Sequence, residues 1–143
     1  MLKLAQATFL LPLLLMTAPA QAGYVDDVLG ELAVRSQISV DELKELLNDC
    51  ETTQRAMNIC AFYDAVEADL NLRRITDGKA AEMAGAEAET YRATIADWRT
   101  KTELACQTEA DEEAAGGTMR PMLYSFCMTY ELNERATLEV DTW

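Results

Sequence analysis

The four cysteines of this chain, at positions 50, 60, 106 and 127, all follow a segment typical of an export signal. Lys3 precedes a mostly apolar stretch over residues 4–16, and Ala20-Gln21-Ala22 has the small-x-small pattern that signal peptidase cleaves. Export delivers a chain to an oxidising compartment, so an even number of cysteines there indicates two disulfides rather than a metal site or a catalytic thiol. We therefore predict a signal peptide over residues 1–22 and a mature protein in the periplasm or secreted.

The mature chain is expected to carry no membrane anchor. The apolar stretch of the leader contains Pro12 and is too short to span a bilayer, and no later apolar run has spanning length. The first cysteine is Cys50, too far from the cleavage site for a lipid anchor. Removing the leader leaves 121 of the 143 residues, the size of one domain. We divide them into an N-terminal helical extension, residues 23–49, and a main helical domain, residues 50–143.

Apolar spacing throughout the chain is helical. It predicts a short helix near residues 25–32, and Ser39-x-x-Glu42 forms a capping box that starts a second. A long helix is predicted from Thr53 to about Gly78, a second through Tyr91 and Trp98 that frays in the acidic run 109–113, and a third over about 120–140. The predicted fold class is all-α: a three-helix up-down-up bundle with short N-terminal helices and two disulfides.

On the first and the last of the long helices, apolar residues recur at helical spacing and mark one side of the helix. On the first long helix the stripe consists of Ala56, Ile59, Tyr63, Val66 and Leu70. On the last helix the inward residues are predicted to be Leu123, Phe126, Cys127, Tyr130 and Leu138.

Three disulfide connectivities are possible for four cysteines. Cys60 and Cys127 each lie seven residues beyond a predicted helix start, and in an up-down-up bundle these two helices run parallel, so both thiols should sit at one height. Cys50 should lie near the far end of the middle helix, where Cys106 falls. This reasoning favours Cys50–Cys106 with Cys60–Cys127. A bond between Cys50 and Cys60, which would close a small loop, stays open as the alternative.

The mature chain is strongly acidic. It keeps all 25 acidic residues and 11 of the 12 basic ones, a formal net charge of −14. Such a chain repels nucleic acid and anionic membranes and attracts a cationic protein, whose encounter rate it would raise. The alternative is that the acidity only keeps an envelope protein soluble.

The residue types that most enzymes rely on are absent. The chain has no histidine, which removes the usual general base, the usual activator of a nucleophile and the commonest metal ligand. The acidic run 109–113 lacks the spacing of a calcium loop, and Gly116-Gly117-Thr118 lacks the lysine of a phosphate cradle. A glycan-active carboxylate pair would need a deep acidic cleft. We expect no enzyme, no cofactor and no metal.

Residues 50–138 resemble the secreted domain family named for the lysozyme inhibitor LprI. The shared features are Cys50 and Cys60 with the M-N-I-C-A stretch at 57–61, the segment 68–71, Trp98 eight residues before Cys106, the G-G-T-M-R-P stretch at 116–121, and Cys127 with Arg135 and Leu138 beyond it. The resemblance implies a small helical, disulfide-linked periplasmic or secreted domain, some of whose relatives inhibit lysozyme. Where the family pattern has a glutamine and an arginine around the tryptophan, this chain has Ile95 and Thr102.

These observations predict a non-enzymatic binding protein whose partner is a cationic protein such as lysozyme or a similar cell-wall hydrolase. The alternative is a structural or assembly factor of the cell envelope that binds another periplasmic protein. Trp98 is assigned to the core and Arg135 to an interhelical salt bridge. The acidic, glycine-containing connection before the last helix is the candidate contact surface, comprising Glu109, Asp111, Glu112, Glu113, Gly116, Gly117, Thr118, Met119, Arg120 and Pro121.

Overall fold

The computed structural model describes residues 20–142, with side chains from Gly23 onward. These residues form five helices and no strand, which confirms the all-α prediction: α1 Ala20–Ser36, α2 Val40–Asn48, α3 Gln54–Glu82, α4 Gly85–Ala114 and α5 Arg120–Asp141. The predicted signal peptide, residues 1–22, lies almost entirely outside the described part of the chain, as does Trp143. None of the described helices combines the length and the apolar character needed to cross a bilayer.

The predicted helix starts coincide with side-chain caps. Ser39 Oγ accepts a hydrogen bond from the Glu42 backbone N–H at the start of α2, and Thr53 Oγ1 accepts one from Ala56 at the start of α3. The predicted end of α3 at Gly78 is wrong, because the helix continues to Glu82. A glycine inside a helix costs only about 1 kcal/mol relative to alanine. Thr76 and Ala80 on either side of Gly78 are buried, so packing outweighs that cost.

Helix α3 packs on both of its sides. Ile59 and Val66, with Tyr63 and Leu70 partly buried, pack against α1 and α2. The apolar stripe predicted for this helix therefore packs mainly against the N-terminal extension. The bundle core uses a different side of α3, and its buried members are Ala65, Ala68, Leu72, Cys106, Met128, Leu132 and Ala136.

The three long helices alternate in direction. Asn58 near the start of α3 donates a hydrogen bond to the Thr118 carbonyl just before α5, and Lys79 near the end of α3 bonds Glu139 near the end of α5, so these two helices run parallel. Tyr91 near the start of α4 also bonds Glu139, so α4 runs antiparallel to both. The start of α3, the end of α4 and the start of α5 therefore share one end of the bundle.

The inward face predicted for α5 is largely wrong. Phe126, Tyr130 and Leu138 are 51%, 64% and 58% exposed. The residues that face inward instead are Ser125, Met128, Leu132, Ala136 and Glu139. Apolar residues occupy two sides of this helix at three- and four-residue spacing, and the periodicity alone cannot tell which side is buried.

The favoured disulfide pairing is wrong, and the Cys50–Cys60 bond that stayed open as the alternative is present. The bonds are Cys50–Cys60 and Cys106–Cys127, and no described cysteine is free. The prediction that Cys60 and Cys127 lie at one height is wrong. Asn58 contacts Thr118 and Lys79 contacts Glu139, so Cys60 is level with the start of α5, about 10 Å along the bundle from Cys127. The direction in which each cysteine side chain points also matters. Cys60 faces α2, with its Sγ 3.9 Å from the Leu46 carbonyl oxygen, whereas Cys106 is fully buried in the bundle core. Cys106 and Cys127 lie at similar distances from the connection that joins the antiparallel helices α4 and α5.

Two buried carboxylates tie the helices together. Asp69 on α3 accepts hydrogen bonds from Arg35 of α1 at 2.6 Å and from Arg99 of α4, and pairs with Arg73 at 3.1 Å. Burial alone would raise the pKa of Asp69, but the hydrogen bond from Arg35 and the charge of Arg99 outweigh it and lower the pKa. Asp69 thus connects the N-terminal extension to two helices of the bundle.

Glu139 connects α3, α4 and α5 in the same way. It binds Lys79 at 3.0 Å, the Tyr91 hydroxyl at 2.7 Å and Arg135 at 2.7 Å. Arg135 was predicted to form an interhelical salt bridge, and its ion pair is instead with Glu139 of the same helix. Its contact with α4 is the Trp98 ring, 5.1 Å from the guanidinium carbon. Trp98 packs against the core as expected, partly buried.

Candidate partner-binding site

The acidic run occupies the last turns of α4, which does not fray as predicted but continues to Ala114. Cys106 and Ala110 on the inner side of these turns are buried, at 0% and 1% exposure, and hold the helix against the bundle. The carboxylates themselves are all exposed: Glu109, Asp111, Glu112 and Glu113. Four acidic groups thus meet solvent on a helix end that packing keeps folded, although they oppose the helix dipole there.

A tight turn joins the end of α4 to α5. Ala115 and Gly116 both adopt left-handed backbone, with φ of 45° and 77°. Gly116 fits this conformation because it lacks a Cβ. A Cβ on Gly117 would lie 3.0 Å from the Ala114 carbonyl oxygen, which already accepts the Gly117 N–H at 2.7 Å. The two glycines are therefore explained by the turn itself, and the turn is hydrogen-bonded.

The segment that follows the turn is held on two sides. The carbonyl of Thr118 accepts the hydrogen bond from Asn58 of α3 at 3.0 Å, and Pro121 sits in the first turn of α5, where its missing N–H costs nothing. Met119 is 47% exposed. This end of the bundle therefore offers a fixed surface with one exposed apolar side chain.

Arg120 neutralises one member of the acidic run. Its guanidinium binds both carboxylate oxygens of Asp111, with Nη2 3.1 Å from Oδ2. The hydrogen bond from Arg120 lowers the pKa of the Asp111 carboxyl below its ordinary value. Among the described residues, no lysine or arginine forms an ion pair with Glu109, Glu112 or Glu113. Of the predicted contact residues, these three therefore carry the charge that is free to meet a partner.

Both disulfides lie toward this end, despite their unexpected pairing. Cys106–Cys127 joins α4 to α5 just behind the acidic run, and Sγ of Cys127 lies 3.5 Å from Oε2 of Glu109. Cys50–Cys60 fixes the end of α2 to the first turns of α3. A surface held by crosslinked helices loses little conformational freedom on binding.

The described residues contain no cluster of side chains suited to holding a metal ion. One hollow of about 490 Å³ has two carboxylates in its lining, Asp64 and Glu67, but both project from α3 three residues apart. Hydrolysis of a glycosidic bond needs carboxylates on opposite sides of the scissile bond. The geometry of this hollow therefore does not support the glycan-active alternative.

The family model for lysozyme inhibitor LprI matches residues 48–138, from the end of α2 to the last turns of α5. This span covers both disulfides, the acidic run and the turn. The chain belongs to the lysozyme inhibitor LprI family. Searches among curated proteins and among solved structures found no significant match. The two departures from the family pattern, Ile95 and Thr102, are each 8% exposed, and neither belongs to the candidate contact surface.

Proposed function

We propose that the mature protein is a non-enzymatic inhibitor of lysozyme or of a similar cationic cell-wall hydrolase, acting in the periplasm or after secretion. The observation that carries the proposal is membership of the LprI family over the part of the chain that contains the acidic end of the bundle. The leader pattern and the two disulfides support a location outside the cytoplasm.

The charge distribution supports the same partner. Glu109, Glu112 and Glu113 are exposed and close together, and the chain has a formal net charge of −13 even with its leader. A cationic hydrolase would be drawn to this end by long-range attraction, which raises the association rate and weakens with salt. The contact surface thus comprises these three carboxylates and the turn that leads into α5.

Lysozyme turnover titrated with the protein lacking residues 1–22, at moderate salt, tests the proposal. We expect turnover to fall as the inhibitor approaches the enzyme concentration. The same protein with both disulfides reduced serves as a control for loss of the folded surface. Undiminished turnover at a large molar excess would contradict inhibition of lysozyme. Recovery of an endogenous envelope protein on the immobilised domain, without inhibition, would favour an assembly factor instead.

A further inference from the structure

The outer side of α5 presents an apolar stripe that the fold does not use. Met119, Leu123, Phe126 and Tyr130 recur at spacings of four, three and four residues, which places them on one side of the helix. Met119, Phe126 and Tyr130 are about half exposed or more, and Leu123 is partly buried. The buried side of α5, with Ser125, Met128 and Leu132, points the opposite way. No described helix covers the stripe.

The stripe begins inside the candidate contact surface, because Met119 belongs to both. The helix that carries it is fixed by the Cys106–Cys127 disulfide and by the turn before it. Its last two members, Phe126 and Tyr130, are aromatic, and aromatic residues are enriched where protein partners make their strongest contacts. A rigid aromatic row of this kind costs solubility when it stays exposed.

Acidic side chains border the stripe on both edges. On the α4 edge, Glu109 lies against Cys127, the neighbour of Phe126. On the α3 edge, Asp64 and Glu67 line a hollow together with Thr129 and Asn133 of α5. Arg120 already binds Asp111, and Arg74, which lines the same hollow as Asp64 and Glu67, lies over the Tyr24 ring, 5.1 Å from its centre.

We propose that the outer side of α5 is the docking surface for a cationic protein whose contact patch has an apolar centre ringed by lysine or arginine. The class of partner is taken from the proposed function, on which the inference rests. The inference adds the residues that bind this partner. Phe126 and Tyr130 anchor the partner and govern how slowly it leaves, whereas the acidic border governs how fast it arrives. A second copy of this chain does not fit, because two acidic borders would face each other.

A pair of synthetic helical peptides of equal positive charge tests this surface without lysozyme. One peptide carries lysine on one side and leucine on the other, and the second has glutamine in place of leucine. We expect the lysine–leucine peptide to bind the wild-type protein more tightly than its partner peptide. The double variant Phe126→Ser/Tyr130→Ser should weaken that binding about 10-fold or more, mainly through faster dissociation.

The matched control is Leu138→Ser/Val140→Ser, which removes two comparably exposed apolar residues from the far end of the same helix. It should leave peptide binding unchanged, and melting curves should show that both variants fold. Equal affinity of the two double variants, no preference for the leucine peptide, or no binding would overturn the inference. So would a wild-type dimer that Phe126→Ser/Tyr130→Ser converts to monomer. If only the lysozyme titration fails, lysozyme is not the partner, but the docking surface on α5 is still supported.

Discussion

The carboxylates inside the bundle and those at the end of α4 are used in opposite ways. Asp69 and Glu139 are buried, and each is held by cations from other positions in the fold. Glu109, Glu112 and Glu113 crowd an exposed helix end where Arg120 neutralises only their neighbour Asp111. Buried charge must be paired, so the interior acids act as connectors between helices. The unneutralised charge outside opposes the dipole of α4 and does not stabilise the fold, and it is available to a partner.

The largest effect is expected from Asp69→Asn. Removing this carboxylate leaves Arg35, Arg73 and Arg99 facing one another at the junction of three helices, and breaking a buried ion pair in this way costs about 3–5 kcal/mol. Because the arginines are partly exposed, we expect the lower end of that range. Urea denaturation measures the change. Asp97→Asn, which removes an exposed pair with Lys101, is the control and should cost less than about 0.5 kcal/mol. Similar losses in the free energy of unfolding for both variants would contradict the distinction between buried and exposed carboxylates.

A loss of comparable size is expected when one disulfide is removed. The Cys106–Cys127 bond closes a separation of 21 residues and the Cys50–Cys60 bond one of 10. On the chain-entropy model each contributes about 3 kcal/mol, the longer loop slightly more. Cys106→Ala/Cys127→Ala should therefore melt lower than Cys50→Ala/Cys60→Ala.

Thiol titration of the same variants under denaturing, non-reducing conditions tests the pairing itself. With the observed pairing, each double variant keeps one intact bond and shows no reactive thiol. Two reactive thiols per chain would contradict it, because bonds joining Cys50 to Cys106 and Cys60 to Cys127 would leave two unpaired partners in either variant.

Stability at acid pH should depend on Asp69. Its folded-state pKa lies below the ordinary value near 4, so its contribution is present above that value and is lost as the pH falls from there through the lower folded pKa. Asp69→Asn should make the melting temperature less sensitive to pH in this range. Asp64, whose pKa is raised by burial, has the opposite sign, so Asp64→Asn should make the acid loss slightly steeper. Parallel profiles for all three proteins would argue against both assignments.

Local signals in the sequence predicted the local structure well. Ser39 and Thr53 cap helices as their spacing indicates, and α5 begins at Arg120 as expected. The family resemblance over residues 50–138 is confirmed by the family match over 48–138. The caps and the start of α5 depend on neighbours within a few residues, which a sequence displays directly.

The predictions that failed concern how the helices are placed against each other and in which direction a side chain points from its helix. Cys60 points to α2 rather than to α5, and Phe126 lies on the apolar side of α5 that stays exposed. The cations around Asp69 come from positions 34 residues before it and 30 residues after it, so no short motif reveals them. The contact surface predicted for residues 109–121 stays a prediction, and the structure narrows its free charge to three carboxylates.

Substitution of the exposed acids is expected to change the stability of the fold least. Its effect on binding of the partner tests the account most directly. Glu112→Gln/Glu113→Gln and Glu87→Gln/Glu89→Gln remove equal charge from the two ends of α4. Inhibition of lysozyme turnover should be measured for both variants and the wild type at low and moderate salt. We expect the first variant to associate several-fold more slowly with a weaker salt dependence, and the second to match the wild type. Indistinguishable inhibition by the two variants would contradict the assignment of the partner to this end of the molecule.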